Sequence, residues 1–164
     1  MKKLVVILTV VLFIFIIIYS IFEKEETLKN GNILRLELAP VDPRSILQGD
    51  YMRLNFRIIN IVNKELLKTT KILTKLVISL DKNNLGTFSN FFDKKELQND
   101  EILLNFTYEK SKTYAKSKIS TTSYFFEEGS GEKYEKAKYG EFRVSKNGEA
   151  LLINLLDKDF KVIR

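Results

Sequence analysis

The sequence predicts a mainly β or α+β protein, with one N-terminal transmembrane helix before a mostly antiparallel β-domain that contains one or two short helices. Three observations support this fold class. An uncharged apolar run occupies residues 4–22, apolar and polar residues alternate in several later segments, and Asn147-Gly148 separates two apolar segments near the C-terminus. Alternation with a period of two is typical of half-buried strands, and Asn-Gly between such strands is a strong hairpin signal.

The N-terminal apolar run is long enough to cross a bilayer. As a helix, residues 4–22 would span about 28 Å at about 1.5 Å per residue, close to the thickness of the hydrocarbon layer. A cleaved signal peptide is the alternative interpretation. It would need small residues before a cleavage site, and residues 19–22 read Tyr-Ser-Ile-Phe. The run therefore favours an uncleaved signal anchor whose direct partner is the lipid bilayer.

The charges beside the apolar run predict its orientation. Lys2 and Lys3 precede the run, and an acidic segment follows it. Basic residues remain on the cytoplasmic side of a membrane, so the N-terminus is expected in the cytoplasm of a bacterial cell and the bulk of the chain outside it. We accordingly divide the chain into residues 1–22 as the anchor, 23–32 as a polar linker, and 33–164 as an extracytoplasmic β-rich domain.

The composition narrows the range of possible functions. The chain has 164 residues and contains no cysteine and no histidine, which excludes disulfides, thiol catalysis and the commonest general base and metal ligand. Its net charge is +6, but basic and acidic residues are interleaved. Such interleaving is typical of a solvated surface and predicts no nucleic-acid partner. We also expect no cofactor.

The elements of the β-domain follow from local periodicity. In the first segment, Leu34, Leu36 and Leu38 alternate with Arg35 and Glu37, which predicts a strand with one buried face. Similar reasoning, together with β-branched and aromatic enrichment, predicts strands at residues 33–39, 51–58, 75–80, 85–92, 102–109, 118–126, 142–145, 150–156 and 160–163. A weak helical period at 63–71 predicts a helix there. Residues 93–100 are predicted to form a polar turn that includes at most one helical turn.

Residues 42–56, DPRSILQGDYMRLNF, combine turn residues with a strand pattern. Asp42-Pro43 and Gly49-Asp50 each favour a turn, because proline fixes φ, aspartate bonds nearby backbone, and glycine permits unusual φ values. The following alternation predicts that three apolar side chains enter the core while the intervening polar ones face the other way. The inward residues are Met52, Leu54 and Phe56.

The same segment resembles the signature of the GDYXXLXY family. Residues 49–56 read GDYMRLNF, and the preceding Pro40-x-Asp42-Pro43-Arg44 resembles the lead-in of that family. Residues 124–131, YFFEEGSG, resemble a second family segment, Tyr-Phe-Val-Pro-Glu-Gly-x-Gly. Two departures from the pattern matter: Phe56 replaces a tyrosine, and Glu127 replaces a proline. The candidate binding or signature residues are Asp42, Pro43, Arg44, Gly49, Asp50, Tyr51, Tyr124, Glu128, Gly129, Gly131 and Glu135.

The resemblance implies a membrane-anchored domain and a multi-pass membrane protein as its partner. It assigns no catalytic residue and no metal ligand. Because the resemblance assigns no catalytic residue and the chain contains no histidine or cysteine, an accessory or interaction domain is favoured over an enzyme.

A cell-envelope hydrolase is the alternative function. Ser45 with a lysine base, or a carboxylate pair drawn from Asp42, Asp50 and Glu128, would supply its chemistry. The same three carboxylates would offer hard oxygen ligands to Ca²⁺. Aspartate and glutamate in turns more often bond nearby backbone, so we favour an interaction domain over both a hydrolase and a Ca²⁺ site.

The two family segments are expected to meet in space. Arg44 carries a planar guanidinium suited to a bidentate pair with a carboxylate. We predict Glu128 as its partner, with Asp50 or Glu135 as alternatives. Two aromatic side chains would flank this pair: Tyr51 and Tyr124.

Overall fold

A computed structural model describes residues 2–39, 51–93, 96–127 and 129–163. It confirms the predicted fold class, because an apolar helix leads into a domain of mostly antiparallel strands. The described elements, in chain order, are α1 (Lys2–Asn30), β1 (Asn32–Glu37), β2 (Tyr51–Arg53), α2 (Arg57–Lys68), β3 (Lys75–Leu80), β4 (Gly86–Phe91), β5 (Glu101–Lys110), β6 (Ala115–Ile119), β7 (Ser123–Phe125), α3 (Gly131–Tyr134), β8 (Tyr139–Val144) and β9 (Ala150–Leu156).

Helix α1 carries the predicted membrane span. Among the described helices it alone is long and apolar enough to cross a bilayer, and the side chains of its apolar window are exposed. The helix continues to Asn30, so most of the segment that we predicted as a polar linker is helical. The residues after the apolar run include no glycine or proline before Gly31, and side chains four apart bond each other. These pairs are Lys29–Glu25 at 3.2 Å and Asn30–Glu26 at 2.8 Å.

The described strands form three sheets. Strands β1, β8 and β9 make one sheet in the order β1-β8-β9, and a second sheet has the order β4-β3-β5-β6. Strands β2 and β7 pair by themselves. Every strand pair is antiparallel, and a short parallel bridge between Arg35 and Leu85 joins the two larger sheets.

The core lies between these sheets and α2. The helix packs against β6, where the Asn63 side chain accepts hydrogen bonds from the Ser117 backbone N–H at 2.8 Å and from its hydroxyl at 2.7 Å. The Lys110 ammonium donates to the Leu66 and Thr69 carbonyls at the C-terminal end of the helix, where a cation is favoured. The largest fully buried side chains are Phe142, Leu34, Leu36, Leu66, Leu76, Ile78, Leu104, Ile119, Leu155 and Leu156.

The predicted strand at 51–58 is wrong in its second half. Met52, Leu54 and Phe56 are buried as the alternation predicted, but the strand ends at Arg53 and α2 begins at Arg57. The apolar residues then change to a helical spacing. The helical residues that face the core are Ile58, Ile59, Val62 and Leu66. The predicted helix at 63–71 therefore begins too late and extends beyond Lys68.

The predicted strand at 118–126 is two strands in different sheets. Strand β6 ends at Ile119 and β7 begins at Ser123. Between them Ser120 has a φ of 43°, and its hydroxyl donates a hydrogen bond of 2.6 Å to the Ala150 carbonyl. The β-branched and aromatic composition of this segment correctly indicated extended backbone, but it did not indicate the break between β6 and β7 at Ser120.

Two further differences concern the C-terminal part. Helix α3 was not predicted, and the segment 160–163 forms only an isolated bridge between Leu156 and Val162.

The hairpin between β8 and β9 is confirmed. Gly148 has a φ of 94°, and a β-carbon there would lie 2.7 Å from Asn105 Oδ1, so both backbone conformation and space require glycine.

An ion pair supports the outer side of the β1-β8-β9 sheet. Arg35 Nη2 lies 2.9 Å from Glu141 Oε2, with side chains 22% and 11% exposed. Asn154 donates a hydrogen bond of 3.0 Å to the other carboxylate oxygen. The Arg35 guanidinium also lies 5.2 Å from the ring centre of Phe160. This network ties all three strands together, and the sequence did not indicate it.

The first prediction tests the register of the signature segment. Leu54→Ala should lower the free energy of unfolding by about 2–5 kcal/mol, because a buried leucine loses its contacts and leaves a cavity. Leu67→Ala is the matched control, since Leu67 is 42% exposed. Chemical denaturation measures both. An unchanged unfolding curve for Leu54→Ala would contradict this packing.

The second prediction concerns the ion pair. Glu141→Gln should lower the free energy of unfolding by about 1–3 kcal/mol, because the shielded Arg35 loses its anionic partner. Glu37→Gln is the control, because Glu37 pairs with Arg57 while their side chains are 42% and 59% exposed, and such pairs contribute about 0–1 kcal/mol. An equal loss of unfolding free energy in the two variants would contradict the prediction, because it would show that the shielded Arg35–Glu141 pair contributes no more than an exposed pair.

Candidate functional site

The two family-like segments meet as a two-stranded antiparallel ribbon. Tyr51 pairs with Phe125, Met52 with Tyr124, and Arg53 with Ser123. We call residues 51–53 and 123–125 the signature ribbon. The structure thus brings together parts of the two segments that the sequence singled out.

The outer face of the signature ribbon is aromatic and exposed. Paired residues of an antiparallel ribbon share a face, so Tyr51 and Phe125 lie side by side with their ring centres 5.7 Å apart. Tyr51 is 39% exposed and Phe125 is 74% exposed. Arg53 is exposed on the same face. A large apolar ring beside a cation, both open to solvent, is a surface suited to a partner.

The inner face of the signature ribbon packs on the core and on α3. Met52 is buried, and the Tyr124 ring lies 5.2 Å from the ring of Tyr134. Phe126 stacks on Tyr134 at 5.1 Å with an angle of 22° between the rings. Burial raises the pKa of Tyr124 above its ordinary value, and the neighbouring Tyr134 hydroxyl adds to this rise. The Tyr124 hydroxyl is therefore protonated at neutral pH, and its ring serves to hold the ribbon in place.

Five of the predicted site residues fall within the part of the chain that the structure describes. Tyr51 and Tyr124, expected to flank one patch, lie on opposite faces of the ribbon, because neighbouring strand positions alternate. Gly129 has a φ of 82° with open space around it, so its conformation favours glycine. Gly131 begins α3, and a β-carbon there would lie 3.6 Å from Phe126. Glu135 is exposed at the end of α3.

The other predicted site residues lie outside the described residues. The contact predicted between Arg44 and Glu128 stays a prediction for this reason, and so do the roles of Ser45 and the carboxylates in the alternative hydrolase. The residues concerned are Asp42, Pro43, Arg44, Ser45, Gly49, Asp50 and Glu128.

Two described aspartates hold turns. Asp81 Oδ1 accepts hydrogen bonds from the backbone of Asn83 and Leu85 at 2.7 and 2.8 Å. Asp157 does the same for nearby backbone, and the N–H of Lys161 contributes most to lowering the pKa of its carboxyl. In residues 2–39, 51–93, 96–127 and 129–163, no group of three or more acidic side chains is placed to hold a metal ion.

Sequence reasoning missed the residues that fix α1 to the domain. Gly31 follows the helix, and Arg143 Nη1 donates a hydrogen bond of 3.0 Å to its carbonyl. A β-carbon at Gly31 would lie 2.4 Å from the Thr27 carbonyl oxygen and 3.0 Å from that of Val144. Thr27 is buried. The glycine after a long helix was the available signal, since it marks a helix end.

Phe125 and Tyr134 are the other residues that were missed. Phe125 occupies the alternate position between Tyr124 and Phe126, so period-two reasoning applied to the YFF sequence would have placed it on the exposed face. No local sequence pattern indicated a role for Tyr134, because its role depends on the packing of α3 against Tyr124 and Phe126.

Comparison with known proteins supports the resemblance. The family model described as GDYXXLXY protein matches residues 13–155, which is most of the chain. No curated protein and no solved structure matches the chain. The match extends from within α1 through β8 and nearly to the end of β9, so it includes both strands of the signature ribbon. The chain therefore belongs to the GDYXXLXY family.

Proposed function

We propose that this protein is a membrane-anchored accessory domain that binds a membrane protein through the outer face of the signature ribbon. The observation that carries the proposal is the exposed pair Tyr51–Phe125 with Arg53 beside it. Aromatic residues and arginine are enriched at the centres of protein interfaces. An accessory domain needs such a surface and needs no catalytic group.

The packing of the ribbon supports its use as a binding surface. An isolated two-stranded ribbon is marginally stable, but here Met52 and Tyr124 attach it to the core and to α3. The outer rings are therefore held in place before any partner arrives. A preorganised surface loses less conformational entropy on binding. Covering a ring such as that of Phe125, which is 74% exposed, would add about 1–2 kcal/mol of hydrophobic stabilisation.

The anchor supports a role at the cell membrane. Helix α1 is an apolar span that continues without interruption as a polar helix to Asn30, and the carbonyl of the next residue, Gly31, accepts a hydrogen bond from Arg143 of β8. The domain is thus fixed at one side of the bilayer. With Lys2 and Lys3 on the cytoplasmic side, α1 acts as a signal anchor and the domain lies outside the cytoplasm. A multi-pass membrane protein is the expected partner, because it would remain within reach of an anchored domain.

The third prediction tests the binding face. Phe125→Ser should leave the free energy of unfolding within about 0.5 kcal/mol of the original, because the ring is exposed. It should reduce the amount of co-purified membrane partner by about tenfold or more if Phe125 is an interface hot spot. The measurement is quantitative mass spectrometry of proteins purified with the tagged chain from membranes in mild detergent.

Ile72→Ser is the matched control for this experiment. Ile72 is 92% exposed and lies in the connection between α2 and β3, away from the signature ribbon in sequence. It should retain the partner. Equal losses in both variants, or full retention in Phe125→Ser, would contradict the assignment of the binding face.

The fourth prediction tests the orientation. The chain has no cysteine, so each single-cysteine variant carries one label site. Lys64→Cys and Lys136→Cys, both exposed in the domain, should react with a membrane-impermeant maleimide in intact cells. Lys3→Cys should react only after permeabilisation. The reverse pattern would contradict the orientation, and a mature N-terminus near residue 23 would show a cleaved signal peptide.

A further inference from the structure

The C-terminal half of α2 and the hairpin between β5 and β6 together form one end of the β-rich domain. The Lys110 ammonium, at the end of β5, donates hydrogen bonds to the Leu66 and Thr69 carbonyls at the end of α2. This contact holds the two segments side by side. We call residues 64–72 and 109–116 the lysine-rich end.

The lysine-rich end carries most of the net charge of the chain. It contains six lysines and two glutamates, a net charge of +4 in a chain whose net charge is +6. Glu65 is neutralised by Lys68, which lies 2.6 Å away. An uncompensated positive surface attracts anions. Four lysine side chains of this end are exposed and have no hydrogen-bond or ion-pair partner among the described residues: Lys64, Lys71, Lys112 and Lys116.

Exposed apolar side chains lie among these lysines. Ile72 is 92% exposed, Tyr114 is 50% exposed and Leu67 is 42% exposed. A purely anionic polymer would bind the lysines and leave Ile72 and Leu67 in water. The surface of an anionic bilayer suits both kinds of side chain, because phosphates lie beside the outer ends of the acyl chains there. The combination therefore favours a lipid surface as the partner.

The lysine-rich end lies on the side of the domain to which α1 is attached. The Lys75 ammonium, three residues after Ile72, donates a hydrogen bond of 2.9 Å to the Asn147 carbonyl in the β8–β9 turn. Asn147 and Phe22 line one cleft between this turn and α1. Because the apolar run of α1 ends at Phe22, the surface of a bilayer that α1 spans lies next to this side of the domain.

We propose that the lysine-rich end binds the anionic headgroups of the bilayer that α1 crosses. This inference rests on the membrane span of the proposed function and is independent of the signature ribbon. The ammonium groups contact lipid phosphates, and Ile72 enters the boundary between headgroups and acyl chains. Each lysine near such a surface multiplies the association constant by about five. With α1 as the first attachment and this end as the second, the domain is held in one orientation on the membrane.

The test uses tryptophan fluorescence, because the chain has no tryptophan of its own. The full-length Ile72→Trp chain is placed in nanodiscs of phosphatidylcholine with about 30% phosphatidylglycerol, whose acyl chains are brominated near the headgroup and quench a tryptophan that touches them. The matched reporter is Leu97→Trp. Leu97 is 38% exposed and precedes β5, and the ten residues of β5 place it about 30 Å from the hairpin. Quenching of Ile72→Trp should be at least about threefold stronger.

Removal of the free lysines tests the electrostatic part. In the Ile72→Trp chain, the triple change Lys64→Gln/Lys71→Gln/Lys112→Gln should lower quenching to the level of the Leu97→Trp reporter, because three charges leave the contact. Nanodiscs of phosphatidylcholine alone should give the same low value. These side chains are exposed, so the variant should fold, and a thermal melt checks this.

The control variant removes the same charge elsewhere. Lys133→Gln/Lys136→Gln/Lys158→Gln changes exposed lysines in α3, just after it and after β9. In the Ile72→Trp chain this variant should keep the strong quenching.

Three results would overturn the lipid contact: weak quenching of Ile72→Trp in anionic nanodiscs, equal quenching of the two reporters, or equal loss in the two triple variants. A separate measurement tests the span on which the contact depends. If the chain leaves the membrane in an alkaline carbonate wash, the proposed function fails together with this contact. Retention in the membrane with weak quenching leaves the proposed function intact and rejects the lysine-rich end as a lipid-binding surface.

Discussion

The close backbone approach at Gly31 is the constraint on which the arrangement of α1 and the β-rich domain depends. The N–H of Gly31 still bonds the Thr27 carbonyl at 2.9 Å, as a continuing helix would, while its own carbonyl accepts from Arg143. Chain direction changes here from helix to strand within one residue, and Asn32 at once pairs with Val144. Because a side chain at Gly31 would meet backbone on two sides, the first strand of the β1-β8-β9 sheet is positioned by the last turn of α1.

The signature of the family divides between core and surface. Leu54 and Phe56 are buried, with Phe56 against Phe142 at 5.4 Å between ring centres. A β-carbon at Gly140 would lie 2.9 Å from the Phe56 ring, so that glycine makes the room for it. Tyr51, three positions before Leu54, faces outward instead. The signature segment therefore contains both core residues and surface residues, and only the outward-facing ones are accessible to another molecule.

Local sequence was sufficient where an apolar segment stays extended between turn residues, and it failed where the period of the apolar residues changed. Residues 75–80 were predicted at their observed bounds, and the β8–β9 hairpin followed from Asn147-Gly148. At Phe56 the alternation passes into the helical spacing of α2 without a turn residue, so the boundary was misplaced. The Arg143–Gly31 hydrogen bond and the Arg35–Glu141 pair join residues that are about a hundred positions apart in the chain, and a local sequence pattern holds no information on such contacts.

The charged and aromatic side chains of this fold are of two kinds: some are buried and paired inside the protein, and others are exposed. Glu141 is shielded, accepts hydrogen bonds from Arg35 and Asn154, and joins three strands. By contrast, the side chains of Glu23 in α1 and Glu149 in the β8–β9 turn have no partner among the described residues. Phe142 and Phe125 differ in the same way, one fully buried and the other 74% exposed. A carboxylate or ring already satisfied inside the protein has little to offer a ligand. The groups that remain exposed, at the signature ribbon and beside α1, are therefore the candidates for contact with other molecules.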